Sequence, residues 1–334
     1  MATIYEVSEL AGVSLATVSR VMNGSSNVSD KTRKKVEAAM SKLGYRPNSI
    51  AQSLASNRSN SIGVMIPELK GPFFGFLMSG VETQLRKANK HVIFTAGHSE
   101  EATEKDGIEF LLSRNCDALI LHVEAVTDEY LVELSKSKIP VVIINRVVEE
   151  IKDLCIYLDN RVGGYLAAKA IIEKGHRNIA YISGPTWKID SNDRLFGHKA
   201  ALEESGIEFD EDLLYRGDFI QESGSIGLSE LIHKNKPFTA LICANDETAC
   251  GAMAMARKLG MDLPENLSIV GFDNILYASY LYPTLTTLNY PVFNMAKMAV
   301  DLVLKEVYQF ENIEITNQFS PKLVERNSVI PFTE

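Results

Sequence analysis

Apolar residues recur at helical spacing in three short runs within the first 45 positions, and each run leaves a polar opposite arc. In the second run, at about 100° per residue, Val18, Val21 and Met22 share one face. Ala16, Ser19, Arg20 and Asn23 fall on roughly the opposite arc, with Leu15 at the exposed start. Thr3 is placed to cap the first helix, and Glu6 three positions on completes a capping box. Gly12-Val13 makes a tight turn and Ser14 caps the second helix, Leu15 to Asn23. The third helix opens at Ser29-Asp30, carries Val36, Ala39, Met40 and Leu43 inward, and gives way to Gly44-Tyr45-Arg46-Pro47-Asn48. An apolar back and a small, singly charged front suit a helix that lies in a DNA major groove.

Residues 47–60 are polar at both ends around a helix-compatible centre, Ser49 to Ala55. So short a segment is marginal as an isolated helix, so it is expected to order only when something holds it. From Ser61 the period changes. Fully apolar runs (Ile62–Ile66, Val92–Thr95, Ala118–Leu121, Val141–Ile144, Ile179–Ile182, Ala240–Cys243 and Leu267–Val270) alternate with longer amphipathic stretches. Apolar strands separated by helices predict parallel sheets covered on both faces. Seven or more of them suit two doubly wound subdomains better than one sheet.

At 334 residues the chain exceeds one compact domain. Residues 1–60 hold eight Lys/Arg against four Asp/Glu, and the remainder holds 26 against 39. A basic head on an acidic body lets a polyanion meet one end only, although such a local excess also arises from ordinary solvation. Cys116, Cys155, Cys243 and Cys250 sit in apolar runs without a CxxC pair and read as small buried hydrophobes. No apolar stretch is long enough to span a membrane and no secretory segment precedes the first helix, so a cytoplasmic protein is expected. No GxGxxG follows a strand, no GxxxxGK[ST] occurs, and no His/Cys set has metal or triad spacing. Neither an enzyme nor a cofactor or metal is expected.

On its motifs the chain resembles the LacI/GalR family of bacterial transcription regulators. The head carries Ile4-Tyr5-Glu6-Val7, Ala11-Gly12-Val13-Ser14, Ala16-Thr17-Val18-Ser19-Arg20-Val21 and Leu43-Gly44-Tyr45-Arg46-Pro47-Asn48. The body carries Gly175-His176, Arg194-Leu195-Phe196-Gly197, Ala244-Asn245-Asp246, Gly271-Phe272-Asp273-Asn274 and Pro283-Thr284-Leu285-Thr286-Thr287. Ile144-Asn145-Arg146, Asn192-Asp193-Arg194-Leu195 and Glu314–Pro321 place it nearest the galactose repressor branch, with other sugar repressors as neighbours. The resemblance implies an all-α helix-turn-helix head (1–46) and a hinge linker (47–60) whose helix joins an α/β core (61–334) similar to periplasmic binding proteins. That core would hold two doubly wound parallel-sheet subdomains, 61–159 plus 290–319 and 160–289 plus 320–334. Only five residues follow Val329, so a homodimer is expected rather than a tetramer with an added tail.

On that template the second helix reads a pseudopalindromic double-stranded operator. Leu15 and Ala16 would face bases, while Thr17, Ser19, Arg20 and Asn23 would divide between base edges and phosphates. Asn27 and Tyr45 would add phosphate or base contacts. Leu54 would wedge into the minor groove from a hinge helix; on the residues alone it fits a dimer seam as well. Leu15 likewise fits the core of the head.

The resemblance also implies a small sugar effector, galactose-like or another hexose or glycoside, between the subdomains. Arg194, expected at the start of a helix, would form the hydrogen-bonding core with Asn245 and Asp273. Phe74 and Phe219 would cover the sugar's apolar faces, with His122 and Asn145 as secondary contacts. Each has a structural reading beside it. Asn245 and Asp273 suit helix caps, Phe73-Phe74 suits the core, and His122 suits a satisfied loop position. Many relatives carry Asp where this chain has Asn145. Trp187, in a Gly/Pro-bearing loop, fits either the cleft mouth or a contact surface. Rival readings are a regulator gated by a partner protein or corepressor, and a sugar-binding protein without DNA.

Overall fold

The computed structural model describes residues 2–22, 27–46 and 58–333, and it divides into two units, 1–60 and 61–334. In the head, helices α1 (Ile4–Ala11), α2 (Leu15–Met22) and α3 (Asp30–Leu43) enclose Val7, Ala11, Val18, Val21, Val36 and Ala39. The capping chemistry read from the sequence is present. Thr3 Oγ1 accepts from the Glu6 N–H while Glu6 Oε2 accepts from the Thr3 N–H at 2.7 Å. Ser14 Oγ accepts from the Thr17 N–H at 3.2 Å, and Ser29 Oγ accepts from the Thr32 N–H. Gly12 closes α1 at φ 64° and Gly44 closes α3 at φ 60°, left-handed positions where a Cβ is disfavoured. Each cap contributes about 1 kcal/mol, a large share for so small a core.

The body holds two six-stranded sheets. The first, in the order β11-β5-β4-β3-β1-β2, is wholly parallel; it contains β1 (Ser61–Ile66), β2 (His91–Ala96), β3 (Ala118–Leu121), β4 (Val141–Ile144), β5 (Cys155–Leu158) and β11 (Gln318–Phe319). The second runs β12-β10-β9-β8-β6-β7, with β6 (Ile179–Ser183), β7 (Leu214–Arg216), β8 (Ala240–Cys243), β9 (Ser268–Asp273), β10 (Thr286–Asn289) and β12 (Lys322–Val324). Only its β12 edge is antiparallel. The apolar runs follow from two-sided burial. Ile62, Val64 and Ile66 enter one core cluster and Met65 the one across the sheet; Ala240 and Ile242 are likewise separated from Leu241 and Cys243. Each fully buried aliphatic side chain contributes about 1.5–3 kcal/mol.

The chain passes between the sheets three times, after β5, after β10 and between β11 and β12. Helices Asn160–Ile172 and Ile189–Glu204 pack backbone to backbone. A Cβ on Gly164 would overlap the Arg194 carbonyl, and one on Gly197 the Arg161 carbonyl. Gly164 thus serves helix packing, while Gly163 leaves room for the Phe272 ring of β9. Cys116, Cys155 and Cys243 are buried and Cys250 half-buried, all as free thiols.

Candidate DNA-reading face and ligand cleft

On α2, Leu15 is 36% exposed, and Ala16 and Arg20 are exposed. Ser19 is half-buried on the same outer arc and Thr17 is half-buried off it, towards Val21, while Val18 and Val21 hold the helix to the head. Thr17 Oγ1 is 2.9 Å from Ser14 Oγ, so that hydroxyl is partly committed to the cap. Asn27 is exposed; Tyr45 packs against the head core. Asn23 and Leu54 lie outside the described residues.

In the body, both sheets reverse strand order beside a central strand, at β1/β3 and at β6/β8, and their carboxyl ends face one cleft of about 330 Å³. All seven residues expected to meet a ligand line it: Phe74, His122, Asn145, Arg194, Phe219, Asn245 and Asp273. They come from segments far apart in the chain. His122 follows β3, Asn145 follows β4 at φ 65°, Phe219 stands after β7 at φ 72°, Asn245 follows β8, and Asp273 ends β9 at φ 110°.

Arg194 is the hub, and its place differs from expectation. It lies in the second turn of helix Ile189–Glu204, since that helix already begins at Ile189. The side chain is 3% exposed. Its Nε donates to Asn160 Oδ1 at 3.0 Å and its Nη1 to the Ala244 carbonyl at 2.6 Å. Its Nη1 is also 3.7 Å from Asp273 Oδ1, and its guanidinium centre lies 3.8 Å from the Phe272 ring centroid. A planar cation over an aromatic face keeps its edge for hydrogen bonds. Burial raises the Asp273 carboxyl well above its ordinary value, with Arg194 opposing.

Asn245 caps helix Asp246–Lys258 and lines the cleft at once. Its Oδ1 accepts from the Thr248 N–H at 3.0 Å and its Nδ2 donates to the Phe219 carbonyl at 2.8 Å. Asp273 caps no helix; it closes β9 in the left-handed region. Phe73 and Phe74 do both jobs open to them, packing on the core while bordering the cleft.

His122 is buried, which pushes its pKa down to about 4 and leaves it neutral at pH 7. The Tyr290 hydroxyl donates to Asn145 Oδ1, so the Asn145 amide nitrogen faces His122 Nε2 at 3.1 Å. With the amide assigned from this network, Nε2 accepts and Nδ1 carries the hydrogen.

Several residues at the cleft escaped the sequence reading. Lys188 Nζ and Glu124 Oε1 form a 2.8 Å ion pair between segments on the two sheets. Glu124 is fixed in turn. The fully buried Glu104 carboxylate accepts the backbone N–H groups of Glu124, Ala125 and Val126 at 2.8, 2.9 and 2.8 Å. Asp190 and Glu247 also line the cleft. Nothing local marks these residues, because only the tertiary fold brings them together; Tyr290 carried a weak signal, following the Thr286-Thr287 strand.

A helix-turn-helix head and a two-sheet body with a ligand-sized cleft define a DNA-binding transcription regulator with a small-molecule-binding body. Residues 3–48 match the family described as bacterial regulatory proteins, lacI family, and residues 168–329 match a periplasmic binding protein-like domain. The HTH-type transcriptional regulator GalR of Escherichia coli (strain K12) is 38% identical over 98% of this chain and 96% of its own. Catabolite control protein A of Priestia megaterium is 33% identical over 91% and 92%. The crystal structure of the lac repressor dimer bound to operator and the anti-inducer ONPF superposes with a TM-score of 0.86 at 27% identity, covering 98% of this chain and 99% of that one. The chain belongs to the lacI family of bacterial regulatory proteins. Its relatives are regulators and not enzymes. Among the described residues no helix is long and apolar enough to cross a membrane.

Proposed function

We propose that this regulator is a cytoplasmic repressor of sugar-utilisation genes whose operator affinity is set by a small sugar in the cleft. The observation that carries this reading is the convergence of Phe74, His122, Asn145, Arg194, Phe219, Asn245 and Asp273 on one cavity of about 330 Å³. A sugar presents hydroxyls that both donate and accept, and C–H faces that prefer aromatic cover. Arg194 and Asp273 supply a fork and a carboxyl, Asn245 a remaining acceptor lone pair, and Phe74 and Phe219 the ring faces. His122 is kept neutral, so it adds a directional donor without charge.

The proposed lobes are 61–159 plus 290–319 and 160–289 plus 320–334, a division supported by which strands share each sheet. Closing them on a sugar alters the first lobe's surface in a dimer and, through the linker 47–60, the grip of the paired heads. A coupling of about 1–3 kcal/mol changes operator affinity some 5–150-fold. Two α2 helices, presenting Leu15, Ala16, Thr17, Ser19 and Arg20, would read a pseudopalindrome with half-sites about one helical turn apart. Asn23 and Leu54 are proposed to join them from the helix end and the hinge.

Footprinting on DNA beside the protein's own gene, repeated with hexoses and glycosides, tests this reading. Protection of a twofold site that weakens with one sugar is the expected result for an inducer; strengthening would make the sugar a corepressor. Protection indifferent to every sugar but dependent on an added partner protein would sink the sugar reading.

A further inference from the structure

Helix Val292–Tyr308 begins where the chain has just crossed from the second sheet to the first, and Tyr290 stands at that crossing. Tyr290 belongs to the cleft. Its hydroxyl donates to Asn145 Oδ1, and its ring meets that of Phe73 edge to face at 4.9 Å. Phe73 is the second residue of helix Pro72–Lys87, so both helices start at the cleft. They are also locked to each other. A Cβ on Gly80 would lie 2.6 Å from the Phe293 carbonyl oxygen, which puts the two backbones in contact. Further along, Gln84 Nε2 donates to Asp301 Oδ1 at 2.5 Å. Met295, Ala299, Val300 and Val303 are fully buried, and an interior packed this closely transmits a displacement instead of absorbing it.

The far end of this helix pair meets the point where the linker enters the body. Tyr308 is the last residue of its helix, about 25 Å from the start. Its hydroxyl donates to Asp117 Oδ2 at 2.6 Å, and Lys90 Nζ, just past the other helix, lies 3.7 Å from its ring centroid. The Asp117 N–H in turn donates to the Ser61 carbonyl at 2.8 Å. Ser61 opens β1 and directly follows the linker 47–60. One side-chain hydrogen bond therefore joins the helix that starts at the cleft to the residue that holds the first position of the body.

We propose that Tyr308 is a positioning residue for the linker, and that the paired helices carry the state of the cleft to it; this rests on the reading that what fills the cleft sets operator affinity. Lobe closure moves the second sheet against the first. Tyr290 is the last residue before Pro291 and the helix, so closure displaces the helix start. The packing against helix Pro72–Lys87 makes the two helices shift as one body, and the Tyr308–Asp117 bond delivers that shift at Ser61. A hydroxyl held by a carboxylate makes a stronger hydrogen bond than a neutral pair does. Without it, the helix end slides past the strand and leaves the linker where it was.

The test uses the full-length protein and the operator duplex located by footprinting. With no sugar present, operator affinity is measured for the wild type, Tyr290→Phe, Tyr308→Phe and the double variant. Residues this far apart ordinarily act independently. The expected result is a double variant whose change differs by about threefold or more from the product of the single changes; a smaller departure would overturn the proposal. Galactose, glucose and their methyl glycosides supply a second readout. With whichever of them shifts wild-type operator affinity, Tyr308→Phe should bind that sugar within about twofold of wild type by calorimetry, yet its operator shift should fall to about a third or less. An undiminished shift would overturn the proposal and leave the sugar reading standing. Asp117→Ala removes the acceptor, keeps the backbone N–H to Ser61, and should give the same pattern; it takes the place of Tyr308→Phe if that variant does not fold. Were no saccharide to move wild-type operator affinity, the sugar reading would fall, and the sugar-free cycle would still decide the role of Tyr308.

Discussion

Glu124 and Lys188 reach across the body's cleft to pair at 2.8 Å, one following β3 of the first sheet and the other following β6 of the second. Both side chains are largely shielded, at 13% and 18% exposure. Glu124 cannot retreat easily, because Glu104 holds its loop through three backbone N–H groups. The pair therefore acts on how the lobes close. A double-mutant cycle of Glu124→Gln and Lys188→Met on urea unfolding should return a coupling of about 0.5–3 kcal/mol, the range for directly contacting residues. Additive single and double variants would mean the pair contributes nothing to holding the lobes together.

Arg194 combines a hydrogen-bonded fork with a stacked face, so lysine cannot replace it. Arg194→Lys loses the Nε bond to Asn160 and the plane over Phe272. Hydrogen bonds to a charged group contribute about 1.5–3 kcal/mol each, which converts to a tenfold to hundredfold weakening of sugar binding. The sugar's effect on operator affinity, of either sign, should be lost at concentrations that saturate the wild type. Calorimetry with the sugar and an operator shift assay with and without it measure both effects; wild-type sugar affinity in the variant would remove Arg194 from the ligand site.

His122 gives a pH dependence with a defined sign. Its folded pKa of about 4 lies below the ordinary histidine value of 6.5 because burial disfavours the imidazolium. As pH falls below 6.5 the unfolded chain takes up a proton that the folded chain refuses, so stability declines until the folded histidine also protonates near 4. The slope from such a group approaches 2.303RT, about 1.4 kcal/mol per pH unit. Buried Asp246, raised to about 7, works in the opposite direction over much of the same range, so wild type alone is not diagnostic. The difference is: His122→Asn should flatten the acid-side loss between about pH 6.5 and 4. Urea unfolding of both proteins across that range checks it, and parallel curves would place His122 in a more polar setting.

The strands that could be read in advance are those buried on both faces, such as Ala118–Leu121 and Val141–Ile144, where side chains on both sides of the sheet must be apolar. β10 and β11 were not singled out for two different reasons. Thr286 and Thr287 are buried but polar, the Thr286 hydroxyl accepting from the Arg326 N–H and the Thr287 hydroxyl donating to Asp246, and Gln318-Phe319 is too short to carry a period. The cleft divided similarly. Asn145, Asn245 and Asp273 stand at or just after apolar strands and could be found by position. Lys188 and Glu124 meet only after both sheets form. Arg194 falls a turn later in its helix than the sequence predicts because the N-cap before Ile189 is Lys188, which makes no capping side-chain hydrogen bond.

Arg20 offers the sharpest test of the head. It stands exposed on the outer arc of α2, while Val18 and Val21 on the other side anchor the helix. A guanidinium in the major groove pairs with the two acceptors of guanine, and such a bidentate contact discriminates by about 1–3 kcal/mol. Arg20→Ala should therefore weaken binding to the preferred operator and flatten the preference at one base pair in each half-site. A lysine that meets only phosphate behaves differently, weakening all sequences about equally and reducing the salt slope by about one. Measuring Arg20→Ala against operators substituted one position at a time, at two salt concentrations, separates these outcomes. A uniform loss with a shallower salt slope would make Arg20 a phosphate contact, and base selection would then fall to Leu15, Ala16, Thr17 and Ser19.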